Sequence, residues 1–133
     1  MTDSPKYDAL RQVLQQWLDG INSGDVDGVT SLYKEDAVLL PTFSSRRLTR
    51  PAERRAYFER VSSKLKLSVE LHQRTLVMQQ FSDSIHGLSG IYLWRFEEDE
   101  EMLSFEARFT YTVDLSRPDP ILHHHSSQIP RTV

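Results

Sequence analysis

Three histidines and two serines stand in one run, His123-His124-His125-Ser126-Ser127, near the end of a 133-residue chain, and Glu106-Ala107-Arg108-Phe109-Thr110-Tyr111 lies just before them. An imidazole with an ordinary pKa near ~6.5 can exchange protons at neutral pH. A guanidinium can grip a carboxylate with two parallel hydrogen bonds. Ile121 and Leu122 ahead of the histidines, and Gln128-Ile129-Pro130 behind them, read as an ordered strand and not as an appended tag.

Strand alternation sorts these residues into faces. Glu106, Arg108, Thr110 and Thr112 share one face, and Phe105, Ala107, Phe109, Tyr111 and Val113 share the other. If Arg108 points into an interior pocket, Glu106 lines it and orients the guanidinium, and Leu122, His124 and Ser126 join from the last strand. The aromatic face then turns outward with His123, His125 and Ser127, where a second copy of the chain would cover it. Arg108 would hold a small carboxylate. The competing structural reading is an internal ion pair to Glu106 or Asp36. His124 is either a proton-transfer or hydrogen-bonding group for a ligand, or a satisfied structural histidine. Tyr33, Tyr57 and Trp17 could wall the pocket with polar-tipped aromatic rings, although their helical spacing also fits plain core packing.

Other chemistries are excluded or weakly signalled. His123 and His125 share a strand face, but a metal site needs three or four ligands, and spacing does not bring His72 or His86 to them. No metal is expected. Cysteine is absent, which excludes disulfides and thiolate chemistry. No glycine-rich phosphate loop, nucleophile elbow or dinucleotide fingerprint occurs, so no cofactor is expected. Arg46, Arg47, Arg50, Arg54 and Arg55 read as a solvated loop and helix face, the alternative being attraction of an anionic ligand at a pocket mouth. A net charge of −3 gives no electrostatic case for nucleic acid. No apolar run approaches the roughly 20 residues of a membrane span, and the N-terminus lacks an apolar signal core. The expected setting is the cytoplasm, and residues 1–133 read as a single domain.

The elements that must position these groups follow from periodicity. Tyr7, Leu10, Leu14, Trp17 and Ile21 form one apolar stripe, which predicts a helix over residues 5 to 22, with Ser4 as cap and Pro5 at its first position. Asn22-Ser23-Gly24 ends it, and Asp25 caps a short second helix carrying Val26, Val29, Leu32 and Tyr33. A first strand follows, ending near Pro41. A third helix starts at Pro51, with Glu53 near its N-terminus and Phe58, Val61 and Leu65 on its core face. Strands are predicted around Leu67–Leu71, Ser84–Glu97 and Met102–Leu115, then through the histidines, with the acidic run Glu97–Glu101 as a hairpin tip. Helices followed by strands with tight turns indicate an α+β fold with an antiparallel sheet curled around the first helix.

Five segments carry a family resemblance. They are Ile21-Asn22-Ser23-Gly24-Asp25, Glu35-Asp36-Ala37-Val38-Leu39-Leu40-Pro41-Thr42, Ala56-Tyr57-Phe58-Glu59, Glu106 to Tyr111, and His123-His124-His125-Ser126-Ser127 with Pro130. Nearly the whole chain resembles bacterial relatives of the calcium/calmodulin-dependent protein kinase II association domain, within the nuclear transport factor 2-like (cystatin-like, SnoaL-like) superfamily. The resemblance implies a cone of three N-terminal helices packed in a strongly curved antiparallel sheet. It implies that Arg108 matches a buried pocket arginine, while Ser126 stands where the kinase domain has a second one. Together with the aromatic face of Phe105, Phe109 and Tyr111 turned outward beside His123 and His125, it leads to the expectation of a homodimer formed through the sheet that binds a small organic ligand in the cone; kinase activity is not carried over, since the chain has no kinase domain. Two alternatives follow from the same resemblance: an isomerase, cyclase or hydratase using Glu106 or Asp36 with His124 as general base and acid, or a bare oligomerisation module.

Overall fold

The structure is a computed structural model and describes residues 5–130. Ser4, the expected helix cap, lies outside the described residues. Pro5–Tyr7 forms a 3-10 turn, and α1 runs from Asp8 to Ser23. Its buried face holds Leu10, Val13, Leu14, Trp17, Leu18 and Ile21, the 3-4 spacing of an amphipathic helix. Gly24 ends it in the left-handed region, at φ 72°, where glycine has no Cβ to clash. The Asp25 Oδ1 accepts from the Gly28 amide at 2.9 Å and caps α2, Val26–Thr30. The expected second helix included Leu32 and Tyr33. The chain leaves the helix earlier, and Tyr33 opens strand β1, Tyr33–Leu40. In α3, Pro51–Ser62, the Glu53 Oε1 accepts from the amides of Thr49 and Arg50, both at 3.1 Å. Leu65, expected on the core face of α3, is 62% exposed and begins β2.

The remaining strands are β2, Leu65–Leu71; β3, Val77–Gln80; β4, Ile85–Glu98; β5, Glu101–Asp114; and β6, Ile121–Gln128. Their order is β1-β6-β5-β4-β2, with β3 also paired to β4. The short β3 is an element that the periodicity did not predict. The curved sheet is mixed rather than wholly antiparallel, because β1 runs parallel to β6, with Leu39 opposite His124. The long β4–β5 hairpin turns through Asp99 and Glu100, at φ 52° and 64°, the positive-φ pair of a tight two-residue hairpin turn.

Two local devices protect the register. The Asn22 side chain donates to the Val69 carbonyl at 3.0 Å and accepts from the Val69 amide at 2.8 Å, so an amide on α1 occupies the free edge of β2 as a strand would. A bulge at Leu122 shifts the β5–β6 register between Thr112 and Val113. That shift keeps both Ile121 and His124 buried, although they are three apart.

Trp17 on α1 lies against the sheet's inner face. It stacks on Tyr92 at 5.5 Å and meets Trp94, Tyr111 and His124 edge-on at 5.9, 5.9 and 5.4 Å. Burying these large rings against α1 supplies the core. The inner face of β5 is therefore Ala107, Phe109, Tyr111 and Val113, all buried, while Glu106, Arg108 and Thr110 are exposed on the outer face. This reverses the expected orientation. Alternation partitioned the strand correctly, but its apolar face, not its charged face, turns inward, because the rings lose far more contact with water than a guanidinium can afford to lose.

A candidate site in the cone

The first turns of the sheet and α1 enclose a line of polar groups. The Trp17 Nε1–H donates to the Tyr33 hydroxyl at 3.0 Å. Tyr33 Oη lies 2.7 Å from His124 Nδ1, and His124 Nε2 lies 3.2 Å from Tyr92 Oη. An indole nitrogen can only donate. Tyr33 therefore uses a lone pair for Trp17, and the one buried acceptor left for its own proton is His124 Nδ1. We assign His124 the Nε2–H tautomer on this ground, with Nε2 donating to Tyr92. Burial holds the His124 pKa well below the usual imidazole value, with His123 and His125 adding to the effect. Burial also pushes the phenols of Tyr33, Tyr92 and Tyr111 upward. The line is accordingly neutral from end to end.

Beyond Tyr92 lie the hydroxyls of Ser126 and Thr42, which share a hydrogen bond at 2.5 Å. These groups border a cavity of about 10 Å³ whose wall includes Trp17, Tyr57, Phe58, Tyr92, Trp94 and His124. That volume is near the minimum for one water molecule. Tyr57 is fixed by the Phe43 amide, which donates to its hydroxyl at 3.3 Å. Among the described residues two buried donors have no partner in good hydrogen-bond geometry, Trp94 Nε1 and Tyr111 Oη. Tyr111 packs face to face on His124 at 3.9 Å, with its hydroxyl close enough to that of Tyr92 for each phenol to influence the other's pKa, though outside good hydrogen-bond geometry.

Of the residues singled out from the sequence, Trp17, Tyr33, Tyr57, His124 and Ser126 gather in the cone. Arg108 and Glu106 do not. Arg108 pairs across the ladder with Ile91 and Ser127, Phe109 with Ser126. Cross-strand partners share a face, so Arg108 and Ser126 stand on opposite sides of the sheet. Glu106 is exposed, with one oxygen 3.9 Å from His72 Nδ1. Asp36 is also outside, 2.7 Å from Lys34 Nζ, and that lysine holds its carboxyl below the usual value. Among the described residues no carboxylate and no cation borders the cavity. Among the described residues no three histidine or carboxylate side chains gather as a metal-binding set.

Sequence reasoning missed four contributors. Tyr92 and Trp94 lie at alternate positions of β4, followed by Phe96, and that aromatic stripe was a legible signal. Thr42 carried none, since a lone threonine after a strand is unremarkable. Arg54 was grouped with a solvated surface but is only 2% exposed. Its guanidinium donates to the carbonyls of Ala37, Lys34 and Glu35 at 2.7, 2.9 and 3.0 Å and lies 5.7 Å from the Tyr33 ring. It ties α3 to the start of β1, behind Tyr33.

No helix among the described residues is long and apolar enough to cross a membrane. No curated protein matches the chain by sequence. A protein from Xanthomonas campestris assigned to the calcium/calmodulin dependent protein kinase II association domain superposes with a TM-score of 0.81, at 24% identity, over 92% of this chain and 87% of that one. An NTF2-like protein with a cystatin-like fold from Novosphingobium aromaticivorans gives 0.76, at 10% identity, over 96% and 84%. A protein from the same organism assigned as a scytalone dehydratase gives 0.79, at 9% identity, over 92% and 83%. The profile of the calcium/calmodulin dependent protein kinase II association domain matches residues 6–130. With the cone, the curved sheet and that match over most of its length, the chain belongs to the calcium/calmodulin dependent protein kinase II association domain family, on the NTF2-like, cystatin-like fold.

Proposed function

We propose that this chain is a self-associating domain, with two copies meeting through the outer faces of their sheets. The observation that carries this reading is Arg108. It stands exposed on central strand β5 and has no ion-pair partner among the described residues. Glu106 lies two residues away on the same face. In a twofold contact across β5, Arg108 of one copy meets Glu106 of the other, and the pair is made twice. Apolar contact is available beside it. Val77 is 55% and Phe81 60% exposed, and the Phe81 ring covers Gly87 on the outer face so closely that a Cβ there would stand 2.8 Å from it. Membership of an association-domain family supports the same reading.

Light scattering at micromolar concentration tests it. The expected mass is about twice the 15.5 kDa of one chain. Arg108→Glu should dissociate the pair by placing carboxylates opposite each other, and Glu106→Arg combined with Arg108→Glu should restore it. A wild-type mass of one chain, or a charge swap without rescue, defeats the proposal.

A second reading, a small organic molecule in the cone, has one feature in its favour, the partnerless Trp94 Nε1 on the cavity wall, but a cavity of about 10 Å³ holds no more than one water, so the cone would have to open to admit a larger molecule. That donor, in a neutral cavity, suits an uncharged acceptor such as a carbonyl. A carboxylate would enter without a counter-cation, at high desolvation cost. Acid–base catalysis has less support. Glu106 and Asp36 lie outside the cone, and both His124 nitrogens are engaged by tyrosines.

A further inference from the structure

A second concavity adjoins the cone, and its chemistry is opposite. A groove of about 270 Å³ runs along the ends of β1 and β6 and the loop after β1. Arg46, Arg47 and His125 line it together with the hydroxyls of Thr42, Ser126 and Ser127. Thr42 and Ser126 border both spaces, so their mutual hydrogen bond is part of the partition between them.

The residues along the groove include two arginines, a histidine and several serines and threonines, and no acidic residue among those described. The two arginines have no ion-pair partner among the described residues, whereas Arg55 pairs with Asp27 at 2.6 Å and Arg117 with Asp119 at 3.0 Å. Glu53 feels the charge of Arg46, but its Oε1 is taken by the amides of Thr49 and Arg50 at 3.1 Å. The loop itself is braced, because the Arg46 amide donates to Ser44 Oγ at 3.2 Å and Leu48 pairs with Leu39 through both backbone hydrogen bonds, at 2.9 and 2.8 Å. Leu40 and Pro41 add an apolar floor.

We propose that this groove binds a small organic oxyanion, a carboxylate or a phosphate monoester. Arg46 and Arg47 hold the anionic group by charge-assisted hydrogen bonds, and the neighbouring hydroxyls donate to its oxygens at the margin. The organic body rests on Leu40 and Pro41. This site is separate from the cone and from the Glu106–Arg108 contact, and it stands whether or not the chain self-associates.

Calorimetric titration of the full chain tests the assignment, with benzoate, phenyl phosphate and neutral benzamide as probes. Benzoate or phenyl phosphate should bind, more weakly as salt is raised, and benzamide should not. The ratio of benzoate to phenyl phosphate affinity identifies which oxyanion the groove prefers. Arg46→Gln with Arg47→Gln should weaken binding about tenfold or more and leave the melting temperature unchanged, because both side chains are exposed. Arg108→Gln should leave it intact. The proposal is overturned if neither anion binds at millimolar concentration, if benzamide binds as well as benzoate, or if the double variant binds like wild type. Loss of binding in Arg108→Gln alone would also overturn it, by placing the anion on the outer face of the sheet.

Discussion

The two faces of β5 share one backbone and differ in every consequence. On the inner face Ala107, Phe109, Tyr111 and Val113 are at most 2% exposed and meet α1 and the neighbouring strands. On the outer face Glu106, Arg108 and Thr110 stand in solvent, and Arg108 has no ion-pair partner among the described residues. A pleated strand always offers two faces. Which one becomes core is decided by the apolar area each can remove from water, and a sheet that curves around a helix has one covered side. Chemistry-bearing residues follow that division. The inner face keeps neutral polar tips in a closed line, while charge is left for the exterior, where it can meet another molecule.

The largest expected effect is on the inner side. Trp17→Ala removes the ring that joins α1 to Tyr92, Trp94, Tyr111 and His124, and should cost about 3–5 kcal/mol in urea unfolding. A loss below about 1 kcal/mol would show that the inner rings do not form one packed unit.

His124 should make that interior sensitive to acid. Its folded pKa is depressed by burial, so below the unfolded value of ~6.5 the unfolded chain takes up a proton that the folded chain refuses. This contribution to stability is complete above about pH 6.5 and falls by about 1.4 kcal/mol per pH unit below it, until the depressed folded pKa is reached. Melting curves between about pH 7.5 and 5 should show the fall in wild type, and His124→Gln should flatten it; equal slopes would assign the acid sensitivity elsewhere.

Smaller effects separate shape from polarity. Tyr111→Phe keeps the ring stacked on His124 and deletes a hydroxyl without a partner, so stability should change by less than about 0.5 kcal/mol or rise. A loss above about 1.5 kcal/mol would mean that this hydroxyl has a bonded partner in solution. The smallest change belongs to Thr110→Ala, one residue away on the outer face, expected within about 0.5 kcal/mol at concentrations where the chain is monomeric.

Much of the fold was legible before any coordinates. The stripe through Leu10, Leu14, Trp17 and Ile21 predicted α1, Asp25 was a recognisable cap, and the acidic run marked the β4–β5 turn. Element ends were less legible where a residue suits two states. Tyr33 fits a helix face or a strand, and Leu65 fits the end of α3 or the start of β2; hydrogen bonding to distant strands settled both. The candidate site was half legible. Trp17, Tyr33, Tyr57, His124 and Ser126 were named from the sequence and meet in the cone, whereas Arg108 was assigned inward by its resemblance to a pocket arginine against the plain apolar pattern of its strand.

Short-range spacing set the local alphabet: where helices start, which residues alternate, and that Phe105 to Val113 splits into an apolar and a charged face. These depend on periodicities of a few residues, which need no distant partner. The rest came from pairing across the whole fold. The β5–β6 register put Phe109 opposite Ser126 and Arg108 opposite Ser127, the bulge at Leu122 kept His124 inside, and the parallel pairing with β1 placed Leu39 beside it. Thr42 met Ser126 across 84 residues and Tyr33 met His124 across 91. Contacts at such separations are selected by the packing of the whole core, and short-range spacing carries no information about them.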